Sequence, residues 1–120
     1  MIKSLHHAQI TVPRGAEDAA REFYCGILGL PEIEKPESLK ARGGLWLQVG
    51  DRQVHVGIEE GVDRLATKAH LAYEVTDISF WRSLLAEAGV EIEKSIAIPG
   101  INRFEFRDPF GNRVEILMQT

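Results

Sequence analysis

Three histidines and one glutamate take matching places in the two halves of this 120-residue chain. His7 lies near the start of Leu5-His-His-Ala-Gln-Ile-Thr-Val12, and His70 opens His-Leu-Ala-Tyr-Glu-Val75. His55 falls in Arg52-Gln-Val-His-Val56 and Glu115 in Asn112-Arg-Val-Glu-Ile116, so the two pairs are 48 and 45 residues apart. Neutral imidazole and carboxylate together suit a divalent ion such as Zn, Ni, Fe or Mn. A single His on a half-solvated strand is more often plain surface. Four ligand-type residues at equivalent repeat positions, His7, His55, His70 and Glu115, favour a metal site.

The elements that would position these residues follow from hydrophobic period. Residues 5–12 alternate as a half-buried strand and stop at Pro13. Ala20, Phe23, Tyr24, Ile27 and Leu28 recur at helical spacing over about 16–28, with Gly29 as the stop. A short strand near Glu32–Glu34 comes next, and then a hairpin of 44–49 and 53–58 turned by Gly50-Asp51-Arg52. The same order returns after an acidic link: strand 70–76, a helix capped by Asp77 and ending at Gly89, a strand over Glu91–Ile96, and strands 103–107 and 113–118 joined by Asp108-Pro-Phe-Gly-Asn112. The reading is an α+β chain, one domain over 1–120, built from two βαβββ repeats at about 1–58 and 69–118. The repeats are expected to form a cupped mixed sheet with helices outside.

Side chains alternate across a strand, which assigns directions. Ala8, Ile10 and Val12 oppose His7, Gln9 and Thr11; Leu71, Tyr73 and Val75 oppose His70; Val54 and Val56 oppose His55; Val114 and Ile116 oppose Glu115. Apolar rows can therefore face the helices while the ligand-type residues line a cleft. Trp46, Phe106, Arg103 and Gln9 are the candidates for holding an organic substrate there, with core packing the competing place for the aromatics and solvent for Arg103. His6 points to the helix side by parity and reads as structural. Cys25 sits among Phe23, Tyr24, Ile27 and Leu28 and reads as a small hydrophobe rather than a catalytic thiol.

Composition excludes several classes. Fourteen Lys and Arg against eighteen Asp and Glu give a formal charge of −4, and the cations are scattered, which argues against a nucleic-acid partner. No segment approaches the ~20 apolar residues of a membrane span, and the first residues lack the apolar stretch of an export signal, so no membrane partner and a cytoplasmic location are expected. With one cysteine no intrachain disulfide can form.

These segments resemble the vicinal-oxygen-chelate superfamily: glyoxalase I, fosfomycin-resistance transferases, extradiol dioxygenases, methylmalonyl-CoA epimerase and bleomycin-binding proteins. The carriers are Leu5–Val12, Ala20-Arg-Glu-Phe-Tyr-Cys-Gly-Ile-Leu-Gly-Leu30, Lys68–Val75 and Arg107-Asp-Pro-Phe-Gly-Asn-Arg-Val-Glu-Ile116, and the last is the most specific. The resemblance implies the glyoxalase/bleomycin-resistance fold and one divalent metal per site held by His7, His70 and Glu115. It also implies a glyoxalase-like enzyme acting on a small oxygenated substrate chelated at that metal, by lyase or isomerase, transferase or dioxygenase chemistry, with Glu115 and His55 as catalytic groups. Glyoxalase I carries a glutamate where this chain has His55. A homodimer with sites shared between subunits is the implied assembly. The rival expectations are a metal-free small-molecule or antibiotic-binding protein of the bleomycin-resistance type and an Fe(II) extradiol dioxygenase-like enzyme.

Overall fold

The alternating segments bury their apolar rows against helices in two separate units, Met1–Val62 and Asp63–Thr120, and the computed structural model describes all residues 1–120. In unit 1, β1 (His7–Val12), β2 (Glu32–Ile33), β3 (Leu45–Val49) and β4 (Arg52–Ile58) form a sheet in the order β1-β4-β3-β2. β1 runs parallel to β4, while β3 pairs antiparallel with both β4 and β2. Val12, Leu45, Leu47, Val54 and Val56 are buried, as are Ala20, Phe23, Tyr24 and Leu28 from the helix.

That helix, α1, begins as Glu17–Ala20 and continues in wider π-helical turns over Arg21–Ile27, where the Leu28 N–H reaches back to the Phe23 carbonyl. A regular α-helix was expected over the whole span. Gly29, at φ +75°, ends it as expected. Cys25 is half-buried, and burial pushes its thiol pKa up, the wrong direction for a resting nucleophile. A short 3₁₀ segment, Glu37–Arg42, leads into β3 and was not foreseen.

Unit 2 repeats the plan with β5 (His70–Glu74), α2 (Ile78–Glu87), β6 (Ile101–Arg107) and β7 (Arg113–Gln119), in the sheet order β5-β7-β6. The Asp77 carboxylate accepts from the Phe80 N–H and caps α2. Arg82 of α2 lies 4.9 Å over the Phe104 ring, so the helix covers the face that carries Phe104, Phe106, Val114 and Ile116. The turn between β6 and β7 is held by Asp108, whose carboxylate accepts from the Phe110 and Asn112 N–H groups and from the Asn112 side-chain amide, while Gly111 takes φ +99°.

Seven strands form rather than eight. The expected strand Glu91–Ile96 is reduced to isolated bridges, Glu93 with Glu105 and Ile98 with Ile101. The Arg103 guanidinium donates to the Ile96 carbonyl through Nε and Nη2, at 3.2 and 2.7 Å, and takes the place of a ladder bond there. No helix is long and apolar enough to cross a membrane.

Candidate functional site

The register confirms that the two halves are equivalent. In the parallel pair of unit 1, His55 stands opposite Gln9, two residues after His7; in unit 2, Glu115 stands opposite Ala72, two residues after His70. His55 and Glu115 therefore occupy the same place in the repeat, on the face that turns away from the buried valines.

In unit 2 the His70 Nε2 lies 3.0 Å from Glu115 Oε1, and His70 Nδ1 lies 3.0 Å from the Lys68 carbonyl. A carbonyl only accepts, so Nδ1 carries the proton and, in the neutral ring, Nε2 presents a lone pair to the carboxylate. Two lone-pair groups at that distance require a cation between or upon them, either a proton or a metal. If a divalent ion were the cation, His70 through Nε2 and Glu115 through its carboxylate would be the residues that hold it. The carbonyl behind His70 is the usual outer partner of a metal-binding imidazole. Glu115 is buried, and its Oε2 lies 3.6 Å from Arg103.

Glu105, which the sequence reading passed over, is buried on the same face directly opposite Glu115. It accepts from Arg103 at 3.1 Å, from Ser95 at 3.1 Å and from Arg113. The Arg113 guanidinium holds the Glu105 carboxyl below the ordinary range against the opposing effect of burial, with Ser95 and Arg103 adding to it. Arg103 is thus tied to both carboxylates rather than pointing to solvent. Phe106, expected against a ligand, is fully buried on the opposite face, because it pairs with Val114 and alternates with Glu105. It is a core residue. The signal was in the sequence: Arg103-Phe-Glu-Phe-Arg107 alternates strictly, and the charged row shares the face of Glu115.

In unit 1 the Trp46 and His55 rings stack in parallel with centroids 3.9 Å apart, and His7 stacks on His55 at 4.1 Å. The Gln53 side-chain carbonyl accepts from His55 Nε2 at 2.9 Å, which leaves Nδ1 as the unprotonated nitrogen of the neutral ring. Burial, with His7 and His6 adding to it, lowers the His55 pKa and favours that neutral form. His6, expected on the helix side, instead sits just before β1, exposed, with its Nδ1 3.0 Å from that of His7. These rings and Gln9 border a cavity of about 650 Å³ that also meets Lys35 and Arg42. No group of three or more His, Cys, Asp or Glu is gathered at ligand distance. Unit 1 offers imidazoles alone, and unit 2 pairs one imidazole with a carboxylate.

A family model for the Glyoxalase/Bleomycin resistance protein/Dioxygenase superfamily matches residues 4–116. The chain belongs to this superfamily. A Bacillus anthracis structure described as a glyoxalase family protein is 38% identical, with a TM-score of 0.93 over 100% of this chain and 98% of that one. The fosfomycin resistance protein FosX from Listeria monocytogenes is 16% identical, with a TM-score of 0.78 over 100% and 96%. Lactoylglutathione lyase from Agrobacterium tumefaciens is 17% identical, with a TM-score of 0.75 over 98% and 94%. At those identities the last two speak to the fold alone. No curated protein matches the chain. The fold is that of the superfamily.

Proposed function

We propose that this superfamily member is a metal-dependent, glyoxalase-like enzyme that acts on a small oxygenated substrate chelated at a divalent ion. The observation that carries this reading is the His70–Glu115 pair, two lone-pair donors 3.0 Å apart with the imidazole proton occupied by the Lys68 carbonyl. His70 would bind through Nε2 and Glu115 through its carboxylate, with His7 from a first-half unit as the third ligand. Zn, Ni, Fe or Mn suits this set. When bound, the ion supplies Lewis acidity toward substrate oxygens. Around it, the residues of this chain set geometry and charge: Lys68 fixes the His70 ring, and Arg103 steadies Glu115 from its far oxygen. His55 contributes through Nδ1 as a fourth ligand or a proton acceptor, with Trp46 and His7 holding its ring in one plane. The assembly proposed with it is a homodimer in which first- and second-half units of different subunits complete one another's sites.

Metal analysis of protein purified without chelator tests the reading. We expect about one divalent ion per site, and His70→Ala, Glu115→Ala and His7→Ala each to weaken binding by about 10- to 100-fold or more, with a smaller loss for His55→Ala. Unchanged metal content in all three would sink the assignment. Mixing His7→Ala with His70→Ala protein after verified subunit exchange should restore binding if sites are shared, and no restoration would mean they are not. A metal-free binding protein is the second reading, favoured by the aromatic wall of the unit 1 cavity. Ligand binding with no ion in any preparation would select it.

A further inference from the structure

The geometry points to an organic oxyanion as the occupant of the unit 1 cavity, a carboxylate or phosphonate on a flat apolar body, with Arg42 and Lys35 as its anion-binding residues. This deepens the reading above and rests on it for the presence of a substrate, but the chemistry that selects the anion lies within unit 1. The charged side chains that line the cavity are Lys35 and Arg42; three imidazoles join them, and no Asp or Glu does. In a chain of net charge −4 that is a local reversal of sign.

Of the other cations of unit 1, Lys3 and Arg14 do not line the cavity, and the remaining three are paired with carboxylates. Arg21 pairs with Asp18 and Glu32, Lys40 with Glu34 and Glu37, and Arg52 with Asp51. Neither Lys35 nor Arg42 has a carboxylate within ion-pair distance. Lys35 is half-buried, and its ammonium donates to the Gly43 carbonyl, which leaves further donors and a full positive charge at the cavity. Arg42 closes the 3₁₀ segment and presents a guanidinium that can bind two oxygens of one acid group. Arg42 is exposed, whereas Lys35 is half-buried without a counter-charge, and a bound oxyanion would supply one.

The wall beside these cations selects the rest of the ligand. Trp46, one face of which stacks on His55, borders the cavity together with Leu39 and Ile58 and gives it apolar surface. A flat ring can lie against such a wall, and about 650 Å³ is in the range that encloses a small organic molecule. A bare inorganic anion would leave that surface uncovered.

The test uses the full chain and three probes of the same shape: benzoate, phenylphosphonate and neutral benzamide. Binding is followed by calorimetry and by Trp46 fluorescence in a Trp81→Phe background, with metal content measured in parallel, both with and without chelator. We expect at least one of the two anions to bind about tenfold or more tightly than benzamide, and the tighter of them identifies the acid group. Arg42→Gln and Lys35→Gln should each weaken that anion by about tenfold, Arg42→Lys by less, and Lys94→Gln, which lies in unit 2, should leave it unchanged. Equal binding of benzamide, or unchanged anion binding in both Gln variants with circular dichroism intact, would overturn the inference. Anion binding that vanishes with chelator would place the anion on the metal and overturn it too, while supporting the metal reading. Anion binding that persists in protein shown never to take up metal would support the inference and remove the metal reading.

Discussion

The two units share one register and surround it with different neighbours. Where unit 1 places His55, stacked between two rings beside an open cavity, unit 2 places Glu115 in a carboxylate–guanidinium network with His70, Arg103 and Glu105. The shared parallel register therefore decides where a ligand-type side chain stands, and the strands on either side decide its chemistry. Unit 1 keeps its imidazole neutral and apolar on both faces. Unit 2 aims a carboxylate at an imidazole. A proton or metal is wanted in the second and a flat organic surface is offered by the first.

The largest expected effect contrasts two glycines that precede corresponding strands. A Cβ on Gly44 would lie 2.1 Å from the Val56 carbonyl oxygen at φ +80°, whereas one on Gly100, at φ +79°, would meet nothing within 4 Å. Gly44→Ala is predicted to destabilise unit 1 by about 3 kcal/mol or more, and Gly100→Ala to cost unit 2 about 1 kcal/mol, the strain of the backbone alone. Chemical denaturation of the two variants checks this. Equal losses would show that the close approach before β3 is not a real difference between the units.

A smaller effect is expected from Glu105→Gln, which leaves Arg103 and Arg113 without their shared carboxylate. Since both arginines keep some contact with water, we expect a loss of about 2 kcal/mol rather than the full cost of a buried broken pair. Arg103 should then turn toward Glu115 and compete with any ion there, so metal affinity should fall as well. Undiminished stability and metal affinity together would mean that the network does not organise the unit 2 face.

The smallest effect at neutral pH belongs to Tyr73, on the helix-facing side of β5. Burial, and then the charge of Asp108, push its phenol up to about 12. The folded pKa lies above the unfolded value of about 10, so this contribution is complete below pH 10 and is lost as pH rises toward 12. Tyr73→Phe should flatten the fall in stability across that window while changing little at pH 7. An unchanged alkaline profile in the variant would remove Tyr73 as its source.

Much of this was legible because strands of period two and turns rich in Gly, Pro, Asn and Asp write their geometry locally. The faces of β1, β4, β5 and β7, the Asp77 cap and the Asp108 turn all follow from such patterns. His6 was misplaced because parity was carried one residue beyond the point where β1 begins pairing. Where a strand was expected at Glu91–Ile96, the Ile96 carbonyl accepts from Arg103, a residue seven positions beyond its end, a contact that no local pattern reports. Lys35 and Arg42 were invisible as a pair because the 3₁₀ segment that joins them has no strong periodicity. The stack of Trp46, His55 and His7 brings together three strands, and only the register of all three reveals it.

The Asp108 turn has a consequence for the order in which the second unit comes together. Its bonds span four residues or fewer, and the β6–β7 hairpin it closes runs only from Ile101 to Gln119. The parallel partner of β7 is far earlier in the chain, since Leu71 pairs with Val114 across an intervening helix. Closing the long loop sacrifices more chain entropy than closing the short one, and hairpins form in about 1–10 μs. We therefore expect the hairpin to nucleate unit 2 and β5 to dock last, completing the His70–Glu115 pair only at the end. Truncations of Phe104 should then slow folding, whereas truncations of Leu71 should mainly speed unfolding. The reverse pattern in refolding rates would place the parallel pairing first.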